Sequence, residues 1–120
     1  MKIALTTSGD NLNAPLDSRF GRAPRFIVVE VENQTFTLVD NAQNLNSAQG
    51  AGIQAALTVT NTGATAVITG HCGPKAFKVL QTAGIKIYNT EAKTVAEALK
   101  LFKSGQLVEA QDADVEGHWA

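Results

Sequence analysis

Four apolar runs punctuate the chain, and each is short enough to read as a strand: Ile3 to Thr6, Phe26 to Val31, Ala66 to Thr69 and Ile85 to Tyr88. Runs of this length bounded by polar or glycine-bearing turns suit strands buried in a sheet. A fifth segment, Thr35 to Val39, alternates: Phe36 and Leu38 fall on one face, Thr35 and Thr37 on the other. The polar turn Glu32-Asn33-Gln34 joins it to the second run, which predicts a β-hairpin.

Helical patterns fill the intervals between the later runs. Ile53 to Thr62 places Ile53, Ala56, Leu57 and Thr60 on one face and meets a stop at Gly63. Pro74 to Ala83 opens with proline at a first helical position, lines up Phe77, Leu80 and Ala83, and ends at Gly84. Thr94-Val95-Ala96-Glu97 is a capping box, in which the Thr oxygen and the Glu carboxylate each satisfy a free backbone N–H. Val95, Leu99 and Phe102 then form the stripe of a last helix that stops near Gly105.

The predicted order is therefore β-β-β-α-β-α-β-α. A hairpin followed by alternating strands and helices predicts an α/β fold with a mixed five-stranded sheet and helices on both faces. At 120 residues, 44% of them hydrophobic, the chain supports one domain with one core. We read residues 1–105 as that domain and 106–120 as a C-terminal tail, mixed and then acidic, ending in Gly117-His118-Trp119-Ala120.

Charge and cysteine content narrow the function. A formal net charge of -1 provides no electrostatic case for nucleic acid or an anionic membrane. The single cysteine excludes an internal disulfide, no apolar run approaches a membrane span, and the short start Met1 to Asp10 suits a first strand better than a signal peptide. A reducing cytoplasm is the expected location.

Two segments carry candidate chemistry. The first is the long polar loop Ser8 to Pro24, with Arg19, Phe20, Gly21 and Arg22 near its end. Loops of this length in a compact domain are usually functional or disordered, and a phenylalanine flanked by arginines argues against disorder. With Arg25, three arginines lie within seven positions. Taken singly, each reads as solvated charge; together with Lys75 they resemble a cradle for an anion such as a phosphate, a nucleotide or a metal–sulfide cluster. The polar loop Asn41 to Gly52 could add neutral donors, although a solvated connection is its plainer reading.

The second segment is His71-Cys72-Gly73-Pro74-Lys75. Cys72 lies just before a predicted helix N-terminus, where backbone N–H groups and the helix dipole favour a thiolate. The plainer reading is a small residue packed under the turn, because cysteine is often buried. Structural zinc wants four ligands, and this chain has one Cys and two His. A thiol phosphatase would place an arginine five residues beyond the cysteine loop's start, where Lys78 stands. No Ser-His-Asp or Cys-His-Asn set and no carboxylate pair for two-metal chemistry stands out. A thiol-dependent enzyme that clamps an anionic substrate with its arginines is the alternative these residues leave open. An interaction module binding a partner's tail is a third. Both loops leave strands at their carboxyl ends, so they are expected to meet in one cleft.

Ser18-Arg19-Phe20-Gly21-Arg22-Ala23-Pro24, with Gly70, Gly73-Pro74-Lys75-Ala76-Phe77, Leu80 and Ala83-Gly84-Ile85, resembles the dinitrogenase iron–molybdenum cofactor biosynthesis family. The similarity runs in order along nearly the whole chain. His71-Cys72 and the Gly-His-Trp tail place it nearest the small members that carry a mixed molybdenum–copper sulfide cluster. The resemblance implies a ribonuclease H-like, three-layer α/β/α fold. It further implies a non-enzymatic protein that binds, stores or delivers a metal–sulfur cluster, either molybdenum–copper sulfide or an iron–molybdenum cofactor precursor. On that reading Arg19, Arg22 and Lys75 neutralise the cluster, and backbone donors of Gly21 and Gly73 bond its sulfides. His71 and Cys72 line or ligate it, and Phe20 shields it. The implied partners are the cluster itself and proteins that donate or accept it.

Overall fold

The computed structural model describes residues 1–41 and 50–112. Five strands form one mixed sheet: β1 (Lys2–Thr7), β2 (Arg25–Glu30), β3 (Thr35–Asp40), β4 (Ala66–Thr69) and β5 (Lys86–Asn89). Their spatial order is β3-β2-β1-β4-β5. β1 pairs antiparallel with β2 through Leu5–Ile27 and neighbours, and parallel with β4 through Ala4–Val67. β2 and β3 form the expected antiparallel hairpin, and β5 runs parallel to β4. The predicted element order and the mixed five-stranded sheet are therefore observed, with boundaries displaced by one or two residues.

Alternation along the central strands separates two apolar layers. Ala4, Phe26, Val28 and Val67 point to one face, where they pack with α1 (Ala51–Asn61) and α2 (Pro74–Thr82). Ile3, Leu5, Ile27 and Ile68 point to the other, where they meet Val95, Ala98 and Leu99 of α3 (Val95–Lys103). Gly63, Gly84 and Gly105 follow the three helices in the left-handed region, φ +82°, +78° and +74°, which terminates each one cheaply. The capping box forms at α3, with a variation: Thr94 Oγ1 accepts from Glu97 N at 3.1 Å, while Glu97 Oε2 accepts from Lys93 N rather than from the cap residue itself.

The orientation of α1 corrects the sequence reading. Its buried residues are Ala51, Gly52, Ala55, Ala56 and Val59. Leu57 is 51% exposed, and Ile53 is only partly covered. Small side chains bring the α1 backbone close to the sheet and to α2, and that close packing outweighs burial of the two larger residues. Ala83, expected on the buried stripe of α2, is exposed at the helix cap.

The two sheet edges differ. At β5, Tyr88 bridges to Glu109 and Ala110 N donates to Ile87 O at 2.7 Å, so the segment after α3 covers that edge. At β3, Phe36 and Leu38 share the α3 side of the sheet, and each is 40% exposed. Among the described residues no helix is long and apolar enough to cross a membrane.

Candidate functional site

The two predicted functional segments meet. Both leave the carboxyl edge of the sheet, one from β1 and one from β4, and residues 17–20 run between those strand tips as an extra rung. Asp17 N donates to Thr6 O at 2.9 Å, His71 N to Ser18 O at 2.7 Å and Phe20 N to His71 O at 3.0 Å. Arg19 and His71 thereby form a parallel bridge. Beneath it, Thr6 Oγ1 and Thr69 Oγ1 lie 2.9 Å apart in the core, and Thr6 Oγ1 donates to Asp17 O at 2.6 Å. Buried hydroxyls are tolerated here because each finds a partner.

Glycine makes this approach possible. A Cβ on Gly70 would lie 2.7 Å from both Cα and O of Ser18. One on Gly21 would lie 3.0 Å from N and Cα of Gly52, in the first turn of α1. The segment Ser18–Gly21 therefore runs from the turn that opens α2 to the start of α1. Asn41 secures its far end from below: Nδ2 donates to Ala23 O at 2.8 Å and, more weakly, to Gly21 O at 3.4 Å.

Both helices reach this segment with glycine at the N-cap, Gly50 for α1 and Gly73 for α2, so neither has a capping side chain of its own. Neither carries an acidic residue in its first turn. First-turn N–H groups and the positive end of the helix dipole thus point to one edge from two directions. Cations accompany them. Arg19 is 57% exposed, its backbone N held by Asp17 Oδ1 at 2.9 Å and its Nε 3.7 Å from the same oxygen. Arg22 is half-buried, and Lys75 is exposed in the first turn of α2.

The neighbours His71 and Cys72 diverge. His71 is exposed on the bridge, whereas Cys72 is 1% exposed within the α1–α2 core, its thiol 3.8 Å from Gly73 O. Phe20 is also buried at 1%, its ring 5.6 Å from that of Phe26. It forms the floor beneath the arginine segment. Arg25, the third arginine of the sequence motif, ties the loop down by donating from Nη1 to Gly9 O at 3.3 Å. His118 and Trp119 lie outside the described residues. Among the described residues, no three His, Cys, Asp or Glu side chains gather where they could hold a metal ion.

Sequence reasoning did not single out Thr6, Thr69 or Asp17, and it named Asn41 and Gly52 only as the ends of a polar loop that could add donors, of which residues 42–49 lie outside the described residues. The visible signals were weak: threonines closing two apolar runs, and Gly50-Ala51-Gly52 opening a helix. Two displaced titrations lie at the opposite edge of the sheet. The hydrogen bonds that the Met1 ammonium donates to the Glu30 and Glu32 carboxylates raise its pKa, and that ammonium draws the Glu32 carboxyl down to about 2.

The family model described as dinitrogenase iron-molybdenum cofactor matches residues 1–105. The chain belongs to this family. An uncharacterized protein of Methanocaldococcus jannaschii is 34% identical over 110 residues, spanning 89% of each chain. Among solved structures, the apo form of the orange protein from Desulfovibrio gigas superposes with a TM-score of 0.86 at 39% identity, over 95% of this chain and 96% of that one. A NifB-like protein of Thermotoga superposes at 0.74 with 28% identity, over 90% and 91% of the two chains. The resemblance read from the arginine segment and the Gly-Pro helix start is thus borne out.

Proposed function

We propose that this protein binds and hands on an anionic, molybdenum-containing metal–sulfur cluster and catalyses no reaction of its own. The observation that carries this reading is the convergence of two glycine-capped helix N-termini on the Ser18–Arg22 segment, with Arg19, Arg22 and Lys75 beside them. Such an arrangement attracts a diffuse anion through N–H donors and guanidinium groups. A cluster that brings its own sulfides needs charge neutralisation and hydrogen bonds more than protein ligands. That demand fits a site where no trio of ligating side chains is gathered among the described residues. Membership of the iron–molybdenum cofactor family and similarity to the orange protein support a metal-cofactor cargo.

Within this proposal the preferred cargo is a molybdenum–copper sulfide cluster, with an iron–molybdenum cofactor precursor second. His71, exposed on the bridge, would reach it; Cys72 would line the pocket from beneath and ligate only if the turn opened. The sheet order, with only β2 reversed, supports the ribonuclease H-like motif as the finer fold assignment. Residues 1–105 would form the binding domain and 106–120 a tail, in a reducing cytoplasm that keeps thiol and cluster intact. Burial of Cys72 weighs against the thiol-enzyme alternative, which needs an accessible nucleophile.

An anaerobic titration with tetrathiomolybdate, with and without copper(I), tests the proposal by visible absorption and by metal analysis after desalting. Molybdenum retained at fixed stoichiometry, with a new band that requires copper, is the expected result. Retention without copper would move the assignment to the iron–molybdenum branch. No retention, including of an iron–sulfur–molybdenum precursor, would overturn it.

A further inference from the structure

The reorientation of α1 leaves apolar surface that the core does not use. Ile53 of α1 is only partly covered, on the side that borders α2, and Leu57, one turn further along the helix, is half exposed. Lys75, Lys78, Val79 and Thr82, which face Ile53, form a stripe along α2 at helical spacing. Between that stripe and α1 runs an open groove of about 380 Å³, lined by Ile53, Lys75, Lys78, Val79 and Thr82. Its floor is apolar and its charged rim is of one sign. Neither helix contains an acidic residue, in a protein with 11 acidic and 10 basic side chains. Neither lysine takes part in the ion pairs found among the described residues.

We infer that this groove docks an acidic amphipathic helix of a partner protein. Aliphatic side chains of such a helix would enter between Ile53 and Val79 and reach toward the exposed Leu57 one turn further along α1, and carboxylates one turn apart would meet Lys75 and Lys78, themselves three residues apart. This is the helix-in-groove mode, in which apolar anchors provide affinity and rim charges provide orientation and encounter rate. Position adds a second argument. The groove starts at the first turns of α1 and α2, the same turns that flank the Ser18–Arg22 segment. A helix docked there lies at the mouth of the candidate site. Its role in cluster hand-over rests on the carrier reading, whereas the docking chemistry stands without it.

The test titrates the ¹⁵N-labelled full chain with a synthetic Leu/Glu amphipathic peptide about 18 residues long, roughly five helical turns. A matched peptide with Lys in place of Glu serves as the control. Amide shifts centred on Ile53, Leu57, Lys78 and Val79 are expected with the acidic peptide only, and they should weaken with added salt. Lys78→Glu and Leu57→Asp should each weaken binding about tenfold. Both residues are exposed, and unchanged spectra elsewhere will confirm that the variants fold.

Equal binding of the basic peptide, no shifts, or shifts centred on Phe36 and Leu38 would overturn the inference. Groove shifts that depend on protein concentration alone would assign the groove to a second copy of the chain. Contacts from Trp119 in the peptide-free protein would assign it to the chain's own tail. Either result would displace the partner helix. Tetrathiomolybdate retention by the same two variants separates this inference from the carrier reading. Weakened docking with normal retention is the expected result for both variants; no docking by a parent protein that retains molybdenum sinks the groove alone, and normal docking with no retention by the parent protein sinks the carrier reading alone.

Discussion

Three helices begin at the same edge of the sheet, and they begin in two different ways. α3 follows the rules of an autonomous helix: Thr94 caps it, Glu97 completes the box and lies near the positive end of the dipole, and Lys100 and Lys103 sit near the negative end. α1 and α2 follow none of these rules. Each starts from a glycine, neither has an acid in its first turn, and α2 carries Lys75 where a carboxylate would be more stable. The uncapped pair is the one that flanks the arginine segment. Local choices that disregard a helix's own stability mark the place where the chain is shaped for something else.

The largest test of this contrast is steric. Gly70→Ala drives a methyl into the backbone of Ser18 and should cost about 2–3 kcal/mol in a denaturant titration. If it costs no more than loss of the Thr94 cap, the close rung between the two loops is not a structural requirement. Next comes charge. Replacing Arg19 and Arg22 together by Ala should weaken cluster binding about tenfold or more, and more than Cys72→Ser does. Equal or reversed losses in an anaerobic binding titration would show that the thiol, not the cationic segment, holds the cargo.

Thr94→Ala is the control from the other side of the comparison. It should lower stability by about 1 kcal/mol and leave cluster binding unchanged. A parallel loss of binding would mean that α3 belongs to the site. The smallest effect sharpens the contrast most. Lys75→Glu places a carboxylate at the start of α2, so stability should rise by about 0.3–0.5 kcal/mol while binding of an anionic cluster weakens. A variant that gained stability and kept its affinity would remove Lys75 from the site. Thermal unfolding read beside tetrathiomolybdate retention measures both quantities.

Much of the site's scaffold was readable before the fold. Apolar runs of strand length, glycine stops and the capping box depend on neighbours within one turn or one pleat, and such local preferences survive in any tertiary setting. The family followed from the arginine segment and the Gly-Pro helix start because both keep their order and spacing. The groove was not readable. α1 offers two plausible buried faces that share Ala56, one with Ile53, Leu57 and Thr60 and one with Gly52, Ala55 and Val59, and periodicity alone favours the bulkier one. Only the distance to the sheet and to α2 selects between them.

By itself, then, the sequence determined which segments become strands and helices, where the helices stop, and that two loops rich in glycine and cationic residues leave the sheet at one edge. The tertiary structure alone decided that Cys72 and Phe20 turn inward while His71 and Arg19 turn outward, that Ser18 packs on Gly70, and that α1 presents its small face to the core. The physical reason is the same in each case. Periodicity ranks the faces of a single element, but which face is buried depends on how closely the partner surfaces can approach, and that is a property of elements far apart in the chain.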